Sequence, residues 1–219
     1  MPKLPTLAHR KTVINKKSNS MKNVLLILVC IALTTASYAQ RFKKIFNGKD
    51  LTGWTINGTE KWYVEKGELI CESGPDKKYG YLSTVKSYRN FVLTLKFKQE
   101  ADGNSGVFVR SSIEGVKISG WQVEVAPLNK FTGGIYESYG RGWLIKPKPE
   151  DEKALKVGQW NTLRIEVKDN TITSFLNGTQ MVQLTDEKFG KGNGFVALQI
   201  HEGGGIKVRW KKIKIKELK

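Results

Sequence analysis

WNTLRIEVKDNTITSFLNGTQMVQL, residues 160 to 184, decides the fold class. It reads as three short strands, and its joints are visible. Asp169-Asn170 and Asn177-Gly178 are pairs that tolerate left-handed backbone, which a two-residue hairpin with the native twist requires. Upstream, FVLTLKFKQ (91 to 99) alternates Phe91, Leu93, Leu95 and Phe97 with Thr94, Lys96 and Lys98, so one face is buried and one is wet. Downstream, IKVRWKKIKIKEL (206 to 218) sets Val208, Trp210 and the isoleucines against lysines. From residue 42 onward turn signals recur every 8 to 12 residues, the pattern of an antiparallel sandwich rather than of βαβ units. No helix longer than a turn or two is expected, with PEDEKALK (149 to 156) and DEKFGKG (186 to 192) the best short candidates. No repeat or internal linker appears, so residues 40 to 219 read as a single all-β domain.

The first 39 of the 219 residues read differently. Met21 opens MKNVLLILVCIALTTASYAQ: Lys22, an apolar run from Val24 to Leu33, then Ser37-Tyr38-Ala39 as a small-x-small cleavage site. The expectation is a signal peptide cut between Ala39 and Gln40, placing the mature protein outside the cell or in a periplasm with no stable membrane insertion. A lipid anchor at Cys30 is disfavoured, because Val29 precedes it where a small residue is usual. The preceding twenty residues fit either an over-long start or an extended basic n-region, so Met1 and Met21 both stand as translation starts. Cys71 is the only cysteine after residue 39; no intrachain disulfide can form, and a buried thiol is the expectation.

The chain carries 37 Lys and Arg against 20 Asp and Glu, a formal net charge of +17. Such charge raises the question of a polyanion partner. The lysines are spread, however, and Lys211, Lys212, Lys214 and Lys216 sit on a terminal strand where lysine discourages edge pairing. A nucleic-acid partner is not expected. Of two Asn-Gly-Thr sequons, at Asn57 and Asn177, the second falls where a hairpin needs Asn-Gly. Gly203-Gly204-Gly205 lacks the following helix and Lys-Ser/Thr of a phosphate loop and reads as a strand connector.

Three strands carry polar rows. In WQVEVA the two-residue period puts Gln122, Glu124 and Ala126 on one face and Trp121, Val123 and Val125 on the other. FVALQIHE likewise gathers Ala197, Gln199 and His201 opposite Val196, Leu198 and Ile200, and NSGVFVR sets Gly106, Phe108 and Arg110 against Val107 and Val109. Aligned on neighbouring strands, these rows would bring Arg110, Gln122, Glu124, Gln199 and His201 into one groove of the kind that binds carbohydrate. His201 is the only histidine after residue 39, and histidine is the side chain suited to proton transfer near neutrality. The alternative is structural: His201 a hydrogen-bonded strand residue, Glu124 paired with Arg110.

An ordered set of phrases resembles the 3-keto-disaccharide hydrolase domain family, once called DUF1080, of the concanavalin A-like lectin/glucanase superfamily. The phrases are IFNGKDLTGW (45 to 54), W-x-V-x-x-G-x-L (62 to 69), GYLSTVKSYRNFVLTLKFK, NSGVFVR, GWQVEV, TGGIYESYGRGWL, WNTLRIEV and LQIHEGGGIKVRWKKIKIKEL. The resemblance covers residues 42 to 218. It implies a jelly-roll β-sandwich of two antiparallel sheets with a concave ligand face, and a secreted hydrolase acting on glycosides oxidised at C3. It also implies site residues: Asn104, Arg110, Gln122, Tyr136, Arg141, Trp143 and Gln199 for substrate, with Glu124, His201 and Glu137 catalytic. Departures occur at Ala126-Pro127, where relatives often carry Asp, at Glu137-Ser138 for Asp-Glu, and at Gly140 for an arginine.

Retaining glucanases need two carboxylates about 5 to 5.5 Å apart. Gln122-x-Glu124 supplies one, so that chemistry requires Glu137 to reach in from its loop. A 3-keto sugar needs less: a base for the acidified C2 hydrogen, an electrophile at the carbonyl and an acid for the leaving oxygen. His201 or Glu124 could serve as base, Arg110 or a divalent cation as electrophile, and Glu137 or Tyr136 as acid; Glu124 and His201 could alternatively ligate one metal ion. The competing class is a non-catalytic, lectin-like glycan-binding module in which Trp143 and Tyr139 stack on sugar rings.

Overall fold

A computed structural model describes residues 41–101 and 103–219. The leader, its cleavage site and Cys30 lie outside the described residues. In chain order the strands are β1 (Lys43–Lys44), β2 (Trp54–Asn57), β3 (Lys61–Glu65), β4 (Glu68–Glu72), β5 (Gly80–Tyr88), β6 (Phe91–Gln99), β7 (Ser105–Glu114), β8 (Lys117–Val125), β9 (Ile135–Ser138) and β10 (Gly142–Ile145). After helix α1 (Pro149–Glu152) come β11 (Asn161–Lys168), β12 (Thr171–Leu176) and β13 (Thr179–Thr185). Helix α2 (Glu187–Lys191), β14 (Gly194–Ile200) and β15 (Lys207–Glu217) complete the described chain. Both helices fall where the sequence placed its short candidates.

The strands form two antiparallel sheets. The back sheet runs β13-β12-β11-β6-β15-β4-β3, with β1 also on β15, and the front sheet runs β10-β9-β8-β7-β14-β5-β2. Leu93, Leu95 and Ile165 of the back sheet and Val107, Val123 and Leu198 of the front sheet share one buried core. Each front-sheet strand therefore spends one row of side chains on that core and leaves the other to the outer face.

Both hairpins fall where expected. Asn177-Gly178 sit at φ 51° and 95°, whereas in the other pair Asp169 alone is left-handed, at φ 50°. The Asn177 side chain accepts from the Thr162 amide at 2.8 Å and donates to Ala154 O and Asn161 Oδ1, so turn chemistry occupies that sequon. Cys71 is buried beside the Trp210 indole, and burial pushes its thiol up to about 12. Nucleophilic chemistry at that sulfur is suppressed.

On β15 the alternation changes parity: Val208 and Trp210 are buried, then Ile213 and Ile215. The shift coincides with a register irregularity between Lys211 and Lys214 and a left-handed Lys212 at φ 54°. One inserted residue keeps both halves of the strand facing the core. The same device on β7 has larger consequences for the site.

Candidate functional site

Register lays the outer face of the front sheet out in rows. Asn57, Tyr81, Gln199, Gly106 and Glu124 stand side by side on β2, β5, β14, β7 and β8. Two residues along lies a second row of Thr55, Ser83, Ala197, Phe108, Gln122, Tyr136 and Trp143, extending onto β9 and β10. Beyond the first row the His201 amide donates to Asn104 O, bringing those residues together past the ends of β14 and β7. A groove of about 490 Å³ opens over these rows. The strands thus bring together seven of the ten residues nominated from the sequence: Asn104, Gln122, Glu124, Tyr136, Trp143, Gln199 and His201.

Glu124 lies on the floor, 4% exposed. The Gln122 amide donates to Glu124 Oε2 at 2.6 Å and to Gln199 Oε1 at 3.2 Å. Gln122 can lie across the sheet only because its neighbour is Gly106; a Cβ there would stand 2.5 Å from Gln122 Nε2. Burial pushes the Glu124 carboxyl up to about 8, against the smaller opposing effect of hydrogen bonds from Asn104 and Gln122. The result is a carboxyl that exchanges its proton near neutrality, the property required of a general acid or base. Asn104 Oδ1 is buried without a partner.

His201 Nδ1 lies 3.1 Å from Glu202 O, and Nε2 lies 3.1 Å from the Tyr79 hydroxyl. A carbonyl only accepts, so Nδ1 carries the hydrogen and Nε2 accepts from Tyr79 in the neutral ring. The Tyr79 ring meets the histidine edge-on at 4.7 Å and lies parallel to Tyr81 at 6.5 Å. Burial raises both phenols above their ordinary range, so they remain proton donors. Sequence reasoning missed both tyrosines. Tyr79-x-Tyr81 has the right period, but only the long-range pairing of β5 with β14 brings it beside Gln199 and His201.

The opposite wall is aromatic. Trp143 packs edge-on against Tyr136 and Phe131, with ring centroids 5.5 and 5.3 Å away. Tyr139 is 70% exposed at the lip, next to Gly140.

Three nominated residues stay out of the groove. Arg110 falls at a bulge, in left-handed backbone at φ 47°, where the β7–β8 register shifts between Val109 and Ser112. The bulge breaks the alternation that would have set it beside Phe108, and its guanidinium donates to Arg89 O, Asp169 O, Phe189 O and Asn90 Oδ1. It cannot stabilise an enolate over Glu124, and it does not pair with that residue. Glu137 lies opposite Trp121 on β8, which commits it to the face opposite the groove; Arg141 and Lys188 bind its carboxylate. Those hydrogen bonds outweigh burial and hold Glu137 below the usual carboxylate range, so it does not serve as the acid. Arg141 is bound to Glu137 and, through both terminal nitrogens, to Asp186.

The groove therefore offers one carboxyl, one imidazole, three amide side chains and a set of phenols. Among the described residues no group of three or more His, Cys, Asp or Glu gathers to hold a metal ion. Glu124 and His201 are at most two ligands, and the Glu124 carboxyl is bonded to amides instead. The donors do not fit a resident metal site.

The sequence profile of the 3-keto-alpha-glucoside-1,2-lyase-like domain matches residues 41–216. No curated protein matches the chain. Among solved structures, a candidate glycosyl hydrolase of Parabacteroides distasonis superposes with a TM-score of 0.61 at 24% identity, covering 83% of this chain and 96% of that one. The carbohydrate binding module CBM66 of Bacillus subtilis also gives 0.61, at 13% identity and 75% and 96% coverage. The potassium-bound carbohydrate recognition domain of Emp46p gives 0.56, at 15% identity and 81% and 94% coverage. At these identities the structural likenesses establish the shared β-sandwich.

Proposed function

The chain belongs to the 3-keto-alpha-glucoside-1,2-lyase-like family, a carbohydrate-active, glycosyl-hydrolase-like family, and we propose that it cleaves 3-keto-glycosides by elimination across C1 and C2. The observation that carries this reading is the solitary buried carboxyl. Among the described residues no second carboxylate lines the groove with Glu124; the sequence's other candidate, Glu137, faces away and is held by cations. Retaining hydrolysis by a carboxylate pair about 5 to 5.5 Å apart has no partner here. Elimination beside a ketone needs one base and an acid for the leaving oxygen, not a carboxylate pair.

In the proposed reaction Glu124, ionised, takes the C2 hydrogen as a proton; the C–H electron pair forms a C2=C3 bond and the carbonyl π pair moves onto the C3 oxygen, giving an enolate. The enolate then collapses to a C1=C2 double bond as the C1–O bond breaks. The departing oxygen keeps that bond pair and receives the Tyr79 hydroxyl proton, which leaves a phenolate beside His201. In hydration the water hydroxyl adds at C1 and its remaining proton restores Tyr79, while Glu124 returns its proton to C2; net hydrolysis is complete and both groups are reset. Burial supports the base role, since a carboxyl titrating near 8 is far more basic than an exposed one. The amides of Gln122 and Asn104 hold it in position.

Turnover of 3-keto-glycosides and their unoxidised parents, each with and without EDTA, tests the proposal. Cleavage confined to the keto substrates supports it, and the EDTA arm reports any metal requirement. A second reading, a lectin-like module, draws on Trp143 and Tyr139, exposed aromatic side chains that line the groove and are of the kind that stacks on sugar rings. Binding of both sugar classes with turnover of neither would favour that module. The leader expected at residues 1 to 39 would place either activity outside the cytoplasm; release of mature protein beginning at Gln40 would bear that out.

A further inference from the structure

Glu137 and Arg141 invite a role, because a carboxylate closed to solvent is costly unless it is compensated. The compensation is complete. Lys188 and Arg141 both bind the Glu137 carboxylate, and Arg141 forks onto Asp186 with bonds of 2.7 and 3.0 Å. Asp186 in turn accepts from the Phe189 amide at 2.8 Å and caps α2. Phe189 is fully buried, stacks edge-on with Trp121 at 5.1 Å and lies under Arg110, whose guanidinium is 4.3 Å from its ring. A chain of charge-assisted bonds therefore ties the β9–β10 turn to the core beside Gln122.

That turn carries the lip of the groove. Residues 138 to 140 connect Glu137 to Arg141, and all three, Ser138, Tyr139 and Gly140, line the groove. Gly140 rests directly on the Glu137 side chain, for a Cβ there would collide with its carboxylate. Tyr139 is held in left-handed backbone at φ 51°, a conformation that a bulky residue adopts only when its surroundings enforce it.

We infer that Glu137, Arg141, Asp186 and Lys188 form a clamp that positions Tyr139 over the groove and so sets how tightly sugar is held rather than how fast its bond breaks. The inference rests on the glycoside reading of the groove, but not on the keto chemistry. These are positioning residues: none of the four lines the groove.

The test compares wild type with Arg141→Ala, Arg141→Lys and Asp186→Asn. Arg141 is surface-accessible, and asparagine still accepts the Phe189 amide at the cap, so the core is spared; thermal melts check this. On p-nitrophenyl 3-keto-α-glucoside, Arg141→Ala and Asp186→Asn should raise KM about tenfold with kcat within about threefold, the signature of lost uniform binding. Arg141→Lys keeps charge without the fork and should recover part of the loss. A fall in kcat at constant KM, or no change in either constant, overturns the clamp. If wild type leaves the keto substrate intact, the proposed reaction fails, and the clamp is decided by titrating methyl α-glucoside against tryptophan fluorescence. Weaker binding by Arg141→Ala then upholds it, equal binding overturns it, and a wild type that binds no glycoside overturns both readings.

Discussion

Two carboxylates thirteen residues apart are both closed to solvent, Glu124 at 4% and Glu137 at 3% exposure, yet they titrate in opposite directions. Glu124 lies deep in the sheet face, and Glu137 lies nearer the surface under the solvent-exposed side chains of Arg141 and Lys188. Glu124 on the groove floor meets only amides, and burial raises it to about 8. Glu137 under the lip meets an arginine and a lysine, and is lowered. Low exposure alone therefore does not mark a reactive group; deep burial without a countercharge does. The groove floor keeps a costly proton-exchanging site, while the lip uses a neutralised cluster as scaffold.

The contrast breaks most directly at its largest effect. Glu124→Gln keeps the hydrogen-bonding shape and removes the proton, so kcat on a 3-keto-glycoside should fall by at least about 10², the usual worth of a general base. His201→Ala should cost a similar factor if the histidine couple supplies the leaving-group proton. Activity unchanged in both variants would sink the site assignment. The pH profile of wild type sharpens it: kcat/KM should rise with pH through an apparent value near 8, because the base is the ionised form. A profile flat from pH 6 to 9 would remove Glu124 from that role.

How much of this could be read from the chain divides along physical lines. The two-residue period places side chains on faces, so the core of Val107, Val123 and Leu198 and the polar row of Gln122, Glu124 and Gln199 were legible. Parity fails wherever the backbone inserts a residue. Arg110 lies at such a point, and nothing in NSGVFVR announces a left-handed arginine. Register is equally silent: Glu137 and Tyr136 are neighbours in sequence, but only pairing with Trp121 and Gln122 decides which of them sees the groove. Tyr79 and Tyr81 enter through the pairing of β5 with β14, between segments more than a hundred residues apart. Resemblance nominated the segment; three-dimensional pairing decides which of its members line the groove.

Gly106→Ala tests the floor at smaller scale. The added Cβ would meet Gln122 and push its amide off Glu124. A hydrogen bond to a charged group is worth about 1.5 to 3 kcal/mol, so an activity loss of about tenfold or more is expected, with the sandwich still folded by circular dichroism. An alanine variant with full activity would mean that the Gln122–Glu124 bond does no positioning.

Smallest, and most discriminating between the two carboxylates, are the melting curves against pH. The folded-state value of Glu124 is raised from an ordinary 4.5 to about 8, so between those values the folded protein retains a proton that the unfolded chain releases. Stability from this group therefore falls as pH rises through that window. Glu124→Gln abolishes the dependence, and its melting temperature should gain on wild type from pH 5 to 9. Glu137 is lowered, so its contribution is full above the ordinary carboxylate range and is lost as pH falls below it through the depressed value. The deficit of Glu137→Gln relative to wild type should be widest near neutrality and close on the acid side. One kcal/mol corresponds to about 2–4 °C for a protein of this size, within reach of calorimetry. Curves that stay parallel to wild type for both variants would show that the two carboxylates sit in equivalent environments. The distinction between reactive floor and scaffolding lip would then fail at its source.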